Sequence, residues 1–167
     1  MPGSETVLWQ FALQLYEQEG VKPWLLEMQD HAAADVCLLL GLIWLGSQGL
    51  RLDDDQHSAL AGSVLGWQQR VTARLRSRRR AVRRGGFLYR QLLRMELLAE
   101  RRALQQLARQ ADGWLTGGAT MPGAFDRDAA MANVERYLNN LSHLEAGRCA
   151  TVLAQLRALL PGPDALH

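Results

Sequence analysis

Residues 36–50 read VCLLLGLIWLGSQGL, fifteen residues without a charge. Spanning a bilayer takes about 20 predominantly apolar residues, and this run also contains three Gly, a Ser and a Gln. It is therefore read as a buried core helix over Val36–Gly46, opened by Asp35 and ended at Gly49. A helix that is apolar on every face must be enclosed by other elements. That requirement places it at the centre of a bundle, and the rest of the chain has to supply its neighbours.

Upstream, Ser4 is positioned to cap a helix over Glu5–Gln18. Val7, Leu8, Phe11, Leu15 and Tyr16 recur there at helical spacing, and Gly20 stops it. Pro23 suits the first turn of a second helix with Trp24, Leu25 and Met28 inward, pausing near His31–Ala34. Downstream, Asp53 and Gln56 have capping-box spacing, and Asp54 and Asp55 favour the same helix N-terminus. The acid triplet lacks the alternating ligands, central Gly and terminal Glu of a calcium loop. The spacing predicts a fourth helix from about Asp54 to Val82, with a stripe of Leu60, Val64, Trp67, Val71 and Leu75. Beyond Leu75 the stripe dissolves into arginine, so the last two turns are expected to project into solvent, with Gly85-Gly86 breaking the helix. A fifth helix is expected over Leu88–Ala111, and a Gly/Pro loop over 112–125. Asp126 caps a sixth helix to about Leu141. A seventh runs from Ser142 or Glu145 to Leu160, before Pro161-Gly162-Pro163. No segment alternates with period two, so no strand is predicted. The expected fold is all-α: one compact bundle of six or seven helices spanning 1–167, ordered from about 4 to 160.

The totals agree with one globular domain. The chain has 167 residues, 48% hydrophobic and 22% charged, which excludes global disorder and collagen-like repeats. A chain this long buries roughly 70% of its unfolded surface, so no disulfide or metal is needed for folding. Cys37 and Cys149 lie in apolar helical patterns without ligand spacing and read as two buried thiols in a reducing, cytoplasmic compartment. The start, MPGSE, has neither a basic nor an apolar leader region.

The net charge of +2 conceals an asymmetry. Residues 1–55 carry nine acids against Lys22 and Arg51, a balance of −7. Residues 56–111 carry thirteen Arg against Glu96 and Glu100, a balance of +11, and residues 112–167 sum to −2. From Arg70 to Arg94 there are ten Arg and no acid. Guanidinium groups fork onto phosphates and carboxylates. The candidate partner-binding residues are therefore Arg70, Arg74, Arg76, Arg78, Arg79, Arg80, Arg83, Arg84 and Arg90. Three uses remain open at this point. The run contacts a nucleic acid, with Phe87 and Tyr89 placed to stack on bases; it contacts an acidic protein; or it pairs with the acidic first third of its own chain and is otherwise a solvated face whose long stems cover apolar surface.

Other constellations are weaker. Asp30, His31 and Asp35 define an acid–base cluster if the helix continues through them, against a cap beside a surface His. His57 and His143 stand alone, without zinc-ligand spacing. There is no nucleophile elbow, phosphate-binding loop or dinucleotide fingerprint. The five Trp, one per element, read as packing residues. No cofactor is implied.

The segments LWQFALQLYEQEGV, LEMQDHAAADVCLLLGLIWLG, GWQQRVTARLRSRRRAV and MELLAERRALQQL together resemble an uncharacterised proteobacterial group, domain-of-unknown-function family 2390. Residues on its pattern include Trp9, Tyr16, Gln29, Asp35, Trp67, Arg76, Arg79, Glu96 and Glu100. Where the family usually has Asn after the Asp-Val pair, this chain has Cys37. The resemblance implies a helical cytosolic protein from a Gram-negative bacterium and no particular activity. The expected function is thus non-enzymatic binding of an acidic protein or a nucleic acid through the arginine-rich helix. The alternatives are a small enzyme using Asp30, His31 and Asp35, or a subunit that self-assembles acidic end to basic middle.

Overall fold

The computed structural model describes residues 3–115 and 124–162. Its helices are α1 (Ser4–Glu17), α2 (Val21–His31), α3 (Val36–Ser47), α4 (Asp54–Trp67), α5 (Ala73–Ala81), α6 (Phe87–Ala111), α7 (Arg127–Asn139) and α8 (Ala146–Leu159). A π-helical turn, Gln68–Thr72, joins α4 to α5 without a break, so the two form one rod. There is no strand among the described residues. The fold is the expected all-α bundle. Most of the predicted Gly/Pro loop (residues 116–123) and Pro163 lie outside the described residues.

α3 is the axis of the bundle. Every residue from Val36 to Ser47 is buried, and the helix touches α1, α2, α4, α6 and α7. Asp35 caps it as predicted, accepting from the Leu38 N–H at 3.0 Å. The Asp53–Gln56 capping box on α4 and the Asp126 cap on α7 also form. At the first helix the cap is Gly3 instead, and Ser4 is already helical and buried. The Gly3 carbonyl accepts from the Thr6 and Val7 N–H groups at 3.0 and 3.2 Å, which starts the helix one residue earlier.

The α3–α7 contact is set by a missing side chain. A Cβ on Gly46 would stand 2.2 Å from the Ala130 Cα and 2.4 Å from its N. Only glycine lets the two backbones approach this closely. Beside that contact Asn133 is fully buried on α7. Its Oδ1 accepts from the Leu52 N–H at 2.9 Å, and its Nδ2 donates to the Leu50 and Leu42 carbonyls at 2.9 and 3.3 Å. One side chain thus holds the α3–α4 connection, supplying partners that a buried loop backbone must find.

Indole groups tie the outer helices to the bundle. Trp24 Nε1 donates to the Val152 carbonyl at 2.9 Å, linking α2 to α8. Trp67 Nε1 donates to the Ala99 carbonyl at 3.0 Å, linking α4 to α6. The π turn explains why the Trp67, Val71, Leu75 stripe keeps its face over two successive four-residue steps. Four residues overrun one α-turn, and the wider π turn absorbs the excess.

Candidate functional site

The arginines lie on the π turn, on α5 and on the start of α6, which together make a helical hairpin. Gly85 turns the chain at φ +80°, a left-handed conformation glycine adopts at no steric cost. Arg90 Nη1 donates to the Gly85 carbonyl at 2.9 Å and closes the turn. The last turns of the α4–α5 rod do not project freely, contrary to the expectation from sequence, because α5 packs along α6.

The reason is a buried ionic cluster. Arg76 Nε donates to Glu96 Oε1 at 3.1 Å, and Arg79 Nε donates to Glu96 Oε2 at 2.5 Å. Glu96 is buried and both arginines are largely so. Arg76 Nη2 also lies 3.6 Å from Glu100. Gln29, with its amide oxygen turned toward α5, accepts from Arg76 Nη2 at 2.9 Å. Donating to Glu96 raises the Arg79 pKa above its ordinary value. Burial raises the Glu100 carboxyl, with Glu96 adding to it, and burial also raises Asp35. Tyr16 is pushed up to about 12, first by burial and then by the field of Glu100.

The nine candidate arginines therefore divide. Arg76 and Arg79 serve the internal cluster, Arg90 serves the turn, and Arg80 donates to Asp30 of the acidic first third at 2.9 Å. That last pair is solvent-exposed and of small energetic weight. Arg70, Arg74, Arg78, Arg83 and Arg84 are exposed and, among the described residues, have no carboxylate within 4.0 Å; Arg94 is in the same position. α6 also shows apolar side chains to solvent, Phe87 at 71% and Leu98 at 64% exposure with Leu88 and Met95 on one side, and Leu93 and Leu97 on another. Trp67, Val71 and Leu75 face Met95 and Leu98 across an open groove of about 530 Å³.

Asp30, His31 and Asp35 are not brought together. His31 is exposed, Asp35 is buried and engaged with Leu38, and Asp30 faces Arg80. Among the described residues no hydrogen bond or ion pair joins the three. Asp35 gains a different neighbour, its N–H donating to the Tyr137 hydroxyl at 2.9 Å. Cys37 and Cys149 are buried free thiols, and burial raises both pKa values.

Sequence reasoning did not assign the partners of Arg76 and Arg79. The signal was present. Glu96 and Glu100 are the only acids between residues 56 and 111 and stand four apart, on one face of α6. Arg76 and Arg79, three apart, share one face of α5.

Fold and site together define an all-α bundle whose central apolar helix is flanked by an ion-paired, arginine-rich helical hairpin. The chain belongs to the family described as "Protein of unknown function (DUF2390)", which matches residues 7–107. No curated protein and no solved structure matches the chain. Among the described residues, no helix is long and apolar enough to cross a membrane.

Proposed function

We propose that the protein is a non-enzymatic adaptor whose α5–α6 hairpin binds an acidic partner protein. The observation that carries this reading is the pairing of two surfaces. Six arginines without a carboxylate partner among the described residues lie beside exposed Phe87, Leu88, Met95 and Leu98. Arginine, methionine and aromatic residues are the types enriched at protein interfaces, and exposed apolar side chains grouped with charge mark an interaction site. The aliphatic component, Leu88, Met95 and Leu98, favours a protein over a nucleic acid, which would use the charge and the Phe87 ring. The internal pairs at Arg76 and Arg79 support the reading from another side. They hold the hairpin rigid, which lowers the ordering cost of binding.

The test compares native protein with an Arg78/Arg83/Arg84→Ala variant in pull-downs from the host, with and without nuclease. Labelled single- and double-stranded oligonucleotides are titrated in parallel at low and physiological salt. The expected result is a defined acidic protein that survives nuclease and is lost with the variant, whose melting temperature stays native. Oligonucleotide binding that falls steeply with salt and vanishes in the variant would replace this reading with a nucleic-acid one.

A further inference from the structure

A second site lies away from the hairpin tip. Helices α1, α3 and α6, with Lys22 of α2, line a partly open cavity of about 340 Å³, within the size range of small-molecule sites. Its body is apolar, with Trp9, Leu13, Leu40, Leu97 and Leu104 on its walls. Glu100 and Tyr16 also line it, the phenol within the field of that carboxylate.

The buried charge at this end does not balance; the further cation near it, Arg101, is exposed and lies over the Trp9 ring, 5.2 Å from its centroid. Three carboxylates, Asp35, Glu96 and Glu100, share Arg76 and Arg79. Glu96 takes the Nε groups of both arginines. Asp35 is met by the N-terminal N–H of α3. Glu100 is left with one long ion pair, an Arg76 nitrogen at 3.6 Å, which lowers its pKa by less than burial and Glu96 raise it. Lys22 lines the cavity as well, but it is exposed, is accompanied by the exposed Glu17, and makes no ion pair with Glu100 within 4.0 Å. Among the described residues, the Tyr16 hydroxyl has no hydrogen-bond partner. An under-neutralised carboxylate on the wall of an apolar cavity is a costly arrangement unless a cation meets it.

We propose that this cavity binds a small amphipathic amine, its ammonium against the Glu100 carboxylate and the Tyr16 hydroxyl and its aromatic or short alkyl body against Trp9, Leu13 and Leu97. An ammonium supplies the missing positive charge and donors for both oxygens. A carboxylate ligand of the same shape would meet Glu100 with like charge. A neutral alcohol would keep the apolar contact and lose the charge pairing. Burial raises the Glu100 pKa, and a bound ammonium favours the ionised form again.

The probes are phenethylamine, its isosteres 2-phenylethanol and 3-phenylpropionate, and hexylamine, titrated by calorimetry and by Trp fluorescence into the full chain. Both amines should bind saturably, the alcohol at least about tenfold more weakly, and the carboxylate not at all; tenfold corresponds to about 1.4 kcal/mol. Glu100→Gln should lower amine affinity by about tenfold or more while the protein stays folded by circular dichroism. Leu13→Trp, at a half-exposed position that tolerates a larger side chain, should block the cavity independently. Arg78/Arg83/Arg84→Ala should bind amines like the native protein, which separates this site from the hairpin. Equal binding of amine and alcohol, undiminished amine affinity in Glu100→Gln, or no saturable amine binding up to millimolar concentration would overturn the assignment.

Discussion

Arg76 Nε lies 3.1 Å from Glu96 Oε1, on a glutamate whose side chain is only 7% exposed. Arg79 meets the other oxygen of the same carboxylate. One buried acid therefore anchors two arginines of α5 to the middle of α6, and the hairpin is held by charge where its apolar stripe has run out. A buried pair of this kind contributes little beyond an apolar contact of the same volume, but losing one partner leaves uncompensated charge.

Glu96→Gln is accordingly expected to cost about 3 kcal/mol, read from urea unfolding. Replacing the whole set, Arg76→Met, Arg79→Met, Glu96→Leu and Glu100→Gln together, should cost less than Glu96→Gln alone. A loss below about 1 kcal/mol in Glu96→Gln would mean that the arginines find other partners and that Glu96 is not the anchor.

Gly46 and Gly62 give opposite expectations for the same substitution. At Gly46 an added methyl collides with the Ala130 backbone, which cannot yield as a side-chain end can. Gly46→Ala should destabilise by about 3 kcal/mol or more as α3 and α7 are forced apart. At Gly62 a Cβ meets nothing within 4 Å, in the interior of α4. Gly62→Ala should stabilise by about 0.5–1 kcal/mol through the unfolded chain. Thermal melts of the two variants check both signs.

Much of the bundle was legible because its signals are local. Asp35, Asp53 and Asp126 announce helix starts within three residues of where they act, and the unbroken apolar run at Val36–Gly46 specifies a central helix without reference to any neighbour. What was not legible depends on distant partners. Nothing near Gly46 indicates Ala130, eighty-four positions away in the chain. Asn133 reads as an ordinary polar residue on a helix until Leu50 and Leu52 are seen beside it. The arginine run was legible as charge but not as geometry. Which arginines are consumed depends on the phase of α5 against α6, and the π turn resets that phase after Trp67.

Tyr16 and Tyr137 are both pushed up to about 12, in each case first by burial. In the folded protein both phenols should stay protonated until near pH 12, seen as a late rise in phenolate absorbance. Tyr16→Phe and Tyr137→Phe should each remove one late-titrating group. Ionisation of either at the ordinary tyrosine value, near pH 10, would show that its ring is not enclosed as described.

Glu100 gives the stability a pH dependence whose sign is opposite to that of a carboxylate held by strong ion pairs. Burial, then Glu96, raises its folded-state pKa above the unfolded value. The folded chain therefore keeps the proton longer. That contribution is complete below the unfolded carboxyl pKa, about 4.3, and is lost as the pH rises through the folded value. Asp35, also raised by burial, acts in the same direction. Glu100→Gln removes a charge that is poorly matched above that window and nothing of comparable size below it. At pH 8 the variant should melt about 2–4 °C above native, the shift that roughly 1 kcal/mol produces in a domain of this size. At pH 4 the two should coincide. A variant that melts lower than native at pH 8 would mean that Arg76 neutralises Glu100 fully, and the charge surplus at the wall of the α1–α3–α6 cavity would then not exist.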